Sequence, residues 1–89
     1  MGKYETHRAD GNQAAIVHAL RKIGVSVEPI GTPLDLLVAT SLTNTFLMEV
    51  KDKGGKLSAS QLAFIASWKG RIEVVWSVED ALAAIGVTV

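Results

Sequence analysis

Apolar positions along this chain switch between two periods. Ile16, Val17, Leu20 and Ile23 recur at helical spacing, and Gly24 supplies a stop. Ahead of them, Asp10-Gly11-Asn12-Gln13 reads as a helix start. Asp10 can accept from the free amide three residues on, and Gln13 can reach back to complete a capping box. Gln13 also lies on the apolar stripe, one turn before Ile16 and Val17, so it is expected to face inward. Val25, Val27 and Ile30 then alternate with polar partners, and Gly31-Thr32-Pro33 makes a turn. Residues 34–39 and 45–50 are almost continuously apolar, as strands covered on both faces are. A polar hairpin connection at 40–44 separates them, and KDKGGK at 51–56 is expected to be a flexible basic loop.

The second half is punctuated more sharply. Ser58 and Gln61 have the spacing of a capping box, with Leu57 and Leu62 placed as a hydrophobic staple. Leu62, Ile65 and Trp68, with Phe64 adjacent, are expected to form the buried stripe of this second helix, which Gly70 ends. Residues 72–76 (IEVVW) form a fourth strand, and Ser77 caps a last helix running to Ile85, closed by Gly86. The first three strands, joined by short turns, predict an antiparallel meander. The strand-helix-strand link to the fourth predicts a parallel, right-handed crossover. The expected fold is therefore α/β: a mixed four-stranded sheet flanked by helices, in the order α-βββ-α-β.

Length keeps this a single domain, because 89 residues are far below the size at which cores divide. The expectation is one unit over residues 1–89, with a polar arm at 1–9 and a core at 10–86. With 48% hydrophobic and 20% charged residues, intrinsic disorder is excluded. So small a domain gains from dimerisation. Nine basic and nine acidic side chains balance, which rules out a bulk polycation but leaves a local basic surface open. Absence of Cys removes disulfides, thiolate zinc sites and thiol nucleophiles, and fits an intracellular protein. No signal peptide and no membrane span are read from the sequence.

Charges inside apolar strands are the informative anomaly, since a buried carboxylate needs a partner. Along the third strand Phe46, Met48 and Val50 share one face, and Leu47, Glu49 and Lys51 share the other. Pairing through the 40–44 hairpin sets residues with a number sum near 84 opposite each other, so Asp35 falls across from Glu49 with Lys51 just beyond. Two adjacent carboxylates repel unless one is protonated or a cation lies between them. Oxygen ligands without His or Cys point to Mg²⁺ or Mn²⁺. A divalent ion with a Lys beside it suits phosphodiester hydrolysis.

Pro33-Leu34-Asp35, a short spacer and Glu49-Val50-Lys51 resemble the bipartite signature of the PD-(D/E)XK nuclease superfamily. The α-βββ-α-β order is similar to its restriction-endonuclease-like core over residues 10 to 85. Within it, the short length and the Ser58-Ala59-Ser60-Gln61 helix start resemble small phage and bacterial VRR-NUC and Holliday-junction-resolvase-type endonucleases. The resemblance implies a structure-selective endonuclease acting on branched or junction DNA, a homodimer, in the cytoplasm of a bacterial or phage-infected cell. It implies Asp35, Glu49 and the Val50 carbonyl as metal ligands, Lys51 as the catalytic lysine, and Gln61 near the scissile phosphate. The chain departs from the pattern where Leu34 separates Pro33 from Asp35. It departs again where Gln13, with Asp10 a turn earlier, stands in place of a first-helix Glu, and no Val-Arg-Arg stretch is present.

Each residue also has a plainer reading. Asp35 can be a turn residue after Pro33, Glu49 and Lys51 a solvated strand end, and Gln61 and Gln13 simple caps. Lys53 and Lys56 can contact DNA phosphates or merely solubilise their loop. Arg21 and Lys22 complement a helix C-terminus, His7 and His18 lack metal-ligand spacing, and Trp68 and Trp76 are expected in the core. A different class stays open: a non-catalytic nucleic-acid-binding or interaction module with this fold, as does a nuclease for linear or nicked DNA.

Overall fold

In the computed structural model, which describes residues 11–87, the chain opens with helix α1 (Gly11–Lys22). Asp10, expected to cap it, and the polar arm before it lie outside the described residues. Gly24 ends the helix in a left-handed conformation, φ 89°. Its N–H donates to the Arg21 carbonyl and the Val25 N–H to the Leu20 carbonyl, the paired closure that a residue with a Cβ resists. Strands β1 (Ser26–Pro29), β2 (Leu36–Ser41) and β3 (Asn44–Val50) follow. Then come helix α2 (Ala59–Ser67), strand β4 (Ile72–Val75) and helix α3 (Val78–Ala84). The sheet order is β1-β2-β3-β4, antiparallel twice and then parallel, which is the α/β topology expected. Among the described residues no helix is long and apolar enough to cross a membrane.

The β2–β3 register pairs Leu36 with Met48, Leu37 with Leu47 and Val38 with Phe46, all at the sum of 84. Alternation then sorts the side chains. Ile16 and Leu20 of α1 pack with Val27, Leu36, Val38, Phe46, Met48, Val50 and Val75, and Ala81 closes the cluster from α3. Helices α1 and α3 thus share one face of the sheet.

The other face carries Leu37, Leu47, Glu49, Ile72 and Val74, and α2 belongs to this side. Three expectations fail here. Helix α2 has no fully buried residue; Leu62 is 53% and Trp68 49% exposed. Strand β2 is covered on one face only, because Leu37 points outward at 39% exposure. Trp76 is 43% exposed and is not a core residue. Ile23 and Ile30 are exposed as well, since each lies beyond the end of its element. The first two share a cause: nine residues of α2 are asked to cover a face as wide as the one two helices close. Helix α2 also ends at Ser67 rather than at Gly70, with Trp68 already extended. A Cβ at Gly70 would lie 2.7 Å from the Trp68 indole nitrogen, so a larger residue there would have to displace that half-exposed ring.

Candidate active site

Asp35 stands one residue before β2, yet its position is fixed from three sides. Its carbonyl accepts from the Ile30 and Gly31 N–H groups at 2.9 and 3.3 Å, closing the turn that holds Pro33. Leu34, the residue inserted between Pro33 and Asp35, is completely buried and anchors that turn. The Asp35 N–H donates to Glu49 Oε1 at 3.2 Å, and the Asp35 Oδ2 accepts from the Val50 N–H at 2.9 Å. Each carboxylate therefore takes a backbone N–H from the other's strand segment. The pairing expected from the number sum is realised through side chains, just past the last backbone pair of the β2–β3 ladder.

Glu49 is 2% exposed, a charged side chain inside the protein. Its Oε2 lies 3.3 Å from the Lys51 ammonium and accepts from the Gln61 amide at 2.7 Å. Burial, and then the neighbouring Asp35 charge, hold its carboxyl above the ordinary 4.5. Lys51 and the Asp35 N–H pull in the opposite direction without cancelling them.

Gln61 unites the two readings given for it. Its Oε1 accepts from the Ser58 N–H at 2.9 Å while Ser58 Oγ accepts from the Gln61 N–H at 3.1 Å, a complete capping box. Because the cap consumes the oxygen, the amide nitrogen is left to face Glu49. The cap of α2 thereby orients a hydrogen bond to the buried carboxylate.

Asn12, in the first turn of α1, was not singled out in the sequence. Its amide donates to the Lys51 carbonyl at 2.9 Å and to the Trp76 carbonyl at 3.1 Å, tying together the ends of β3 and β4. Its signal is its place beside Gln13 at the helix start, where the stripe argument favoured the neighbour. Gln13 itself is half-buried in the same turn. Arg21 reaches the Val27 carbonyl at 2.8 Å, so it fastens β1 to α1 rather than serving only its own helix end.

The basic loop is folded into a turn. The Gly55 N–H donates to the Asp52 carbonyl at 2.7 Å, with Gly54 at φ 81°. Lys53 and Lys56 stand exposed on it, and neither pairs with a carboxylate among the described residues.

Two carboxylates and an ammonium thus meet on one face, at the carboxyl ends of the parallel strands β3 and β4, where open α/β sheets place ligands. Among the described residues no three His, Cys, Asp or Glu side chains gather. Asp35 and Glu49 offer carboxylate oxygens only, the donor chemistry that Mg²⁺ or Mn²⁺ would take. The raised Glu49 carboxyl fits that use, because a cation between the two acids would offset both the burial and the repulsion. Compared with family models, curated proteins and solved structures, the chain matches none.

Proposed function

We propose that this chain is a Mg²⁺- or Mn²⁺-dependent DNA endonuclease of the PD-(D/E)XK kind. The observation that carries the reading is the buried Glu49, bonded at once to Asp35, Lys51 and Gln61. Asp35, Glu49 and the Val50 carbonyl would hold the ion. Such an ion supplies charge neutralisation at the phosphate and a water of lowered pKa. Lys51 holds a positive charge at Glu49 Oε2, within reach of a phosphate oxygen gaining charge there. Gln61 keeps Glu49 oriented. Selectivity for branched or four-way-junction DNA follows the resemblance, and a homodimer would present two such sites about a twofold axis.

A non-catalytic DNA-binding module is favoured by one observation. Every bond just described also closes as a self-satisfied network, with neither Glu49 oxygen left unbonded. The deciding experiment is cleavage of labelled four-way junction, flap and linear duplex DNA with Mg²⁺ or Mn²⁺, beside EDTA and Lys51→Ala. The nuclease reading expects metal-dependent cutting, reduced by roughly 10²–10³ in Lys51→Ala, the loss usual for one transition-state charge partner. Cutting of every substrate would keep the chemistry and discard junction selectivity. A folded wild-type protein that cuts none of them yet binds DNA would favour the binding module instead.

A further inference from the structure

Trp76 is an exposed aromatic residue whose ring the site described above does not use. In the parallel β3–β4 ladder Glu49 pairs with Val74 and Val50 with Val75, and the Lys51 N–H donates to the Val75 carbonyl at 2.9 Å. The ladder ends there, and Lys51 and Trp76 are the residues that leave β3 and β4. The Asn12 amide donates to both the Lys51 and the Trp76 carbonyls, at 2.9 and 3.1 Å, which sets the two backbones side by side where β3 and β4 end. The indole itself reaches the loop that follows Lys51, where its N–H meets the Gly55 carbonyl.

The ring is held rather than loosely exposed. The Trp76 N–H donates to Asp80 Oδ2 at 2.9 Å, its carbonyl accepts from Asn12, and its indole N–H reaches the Gly55 carbonyl at 3.4 Å. Its polar edge is thereby turned to the loop, while 43% of the residue stays open to solvent. The segments it touches carry mixed charge: Lys51, Lys53 and Lys56 with Asp52 in the loop, and Glu79 and Asp80 in the first turn of α3. Asp80 spends one oxygen on the Trp76 backbone, and residues 51–56 carry three Lys to one Asp. A half-exposed indole beside a loop whose Lys53 and Lys56 pair with no carboxylate among the described residues is the pairing that receives a single nucleic-acid strand, base on ring and phosphate on ammonium.

We propose that Trp76 is a stacking platform for an unpaired base of a DNA strand, selecting substrates that offer single-stranded nucleotides next to the Asp35–Glu49–Lys51 site. This deepens the nuclease reading and rests on it for the substrate's fate, but not for the binding. The test uses the full chain in EDTA, so that no strand is cut. In a Trp68→Phe background Trp76 is the remaining tryptophan, the sequence having two. A short oligothymidylate should quench its emission.

Trp76→Leu should weaken oligothymidylate binding by roughly five- to a hundredfold, the range for losing one stacked base. Binding to blunt duplex should change by less than about twofold, since its bases are already stacked. Trp76→Tyr, which loses the bond to Gly55 but keeps a ring face, should recover most of the affinity. A role confined to supporting the loop would make Tyr and Leu equivalent, and that result overturns the proposal. So does unquenched emission on strand binding, or failure of every nucleic acid to bind, which would reassign the ring to a protein contact. Quenching without metal-dependent cleavage would keep the platform and discard the nuclease. Cleavage without quenching would do the reverse.

Discussion

The two faces of this sheet are built from similar residues and put to opposite uses. On one, α1 and α3 press Ile16, Leu20 and Ala81 onto Leu36, Val38, Met48 and Val75, all at 2% exposure or less. On the other, the single short helix α2 leaves Leu37, Leu62 and Trp68 in solvent, and the deeply buried Glu49 is a charged residue. The first face is closed and apolar, and every bond on it serves the fold. The second spends burial on a carboxylate whose charged form is disfavoured there, which is a cost to stability. A domain of this size has few residues to spare for such a cost, so its presence argues for a use. Substitutions on the closed face should therefore move stability, and those around Glu49 should separate stability from activity.

The largest stability effect belongs to Leu20→Ala. Leu20 is completely buried between α1 and the sheet, and its carbonyl takes part in the helix stop. Loss of its side chain should cost about 2–5 kcal/mol. At roughly 4–8 °C per kcal/mol for a domain near this size, thermal unfolding should register it plainly. A shift of less than about 3 °C would mean that the α1 face is looser than its packing indicates.

Much of this division was legible in the sequence. The number sum of 84 located the β2–β3 register, because a hairpin between two apolar runs has one arrangement that buries one face of both strands. The Ser58–Gln61 cap was legible because its two bonds are local. What failed was every inference about how deeply α2 is covered. Leu62, Ile65 and Trp68 have the spacing of a buried stripe, but spacing reports which side of a helix faces the sheet, not whether anything else covers it. Trp76 failed for a related reason: a large aromatic residue at a strand end looks the same in sequence whether the strand continues into the core or stops at a rim. Asn12 was overlooked because its bonds reach 39 and 64 residues along the chain, and no local pattern announces contacts of that range.

An intermediate effect, with the sign reversed, is expected from Asp35→Asn. Glu49 binds its proton more tightly in the folded chain than the ordinary 4.5, because of burial first and Asp35 second. Below that value both folded and unfolded forms are protonated, and the contribution to stability is intact. As pH rises from there through the folded value, the unfolded form gives up its proton first. Stability then falls and afterwards levels off. Asn at position 35 keeps an oxygen for the Val50 N–H but removes the charge. The variant should be more stable than wild type at neutral pH, by an amount within the roughly 0.5–2 kcal/mol of a single favourable substitution. The gain should shrink toward about pH 4, and cleavage should be lost. Denaturant midpoints of the two proteins compared across that range check it. A variant less stable at neutral pH would show that the Asp35 charge supports the fold, and the cost assigned to this face would be withdrawn.

The smallest effect is the sharpest comparison, because it repeats the first substitution on the other face. Leu62→Ala removes the same side chain from a helix, but at 53% exposure rather than none. Roughly half of the Leu62 surface is already in water, so little transfer energy is lost. No enclosed cavity is left, and Ala is itself the better helix former. The net change should stay within about 0.5 kcal/mol, with the cap at Ser58 and Gln61 untouched and any cleavage unaltered. A loss comparable to that of Leu20→Ala would require Leu62 to be covered in solution. The covering surface would then have to come from another molecule, and a concentration-dependent unfolding midpoint would identify it as a second copy of this chain. Equal midpoints at low and high protein concentration, with a small shift, would establish the α2 face as open.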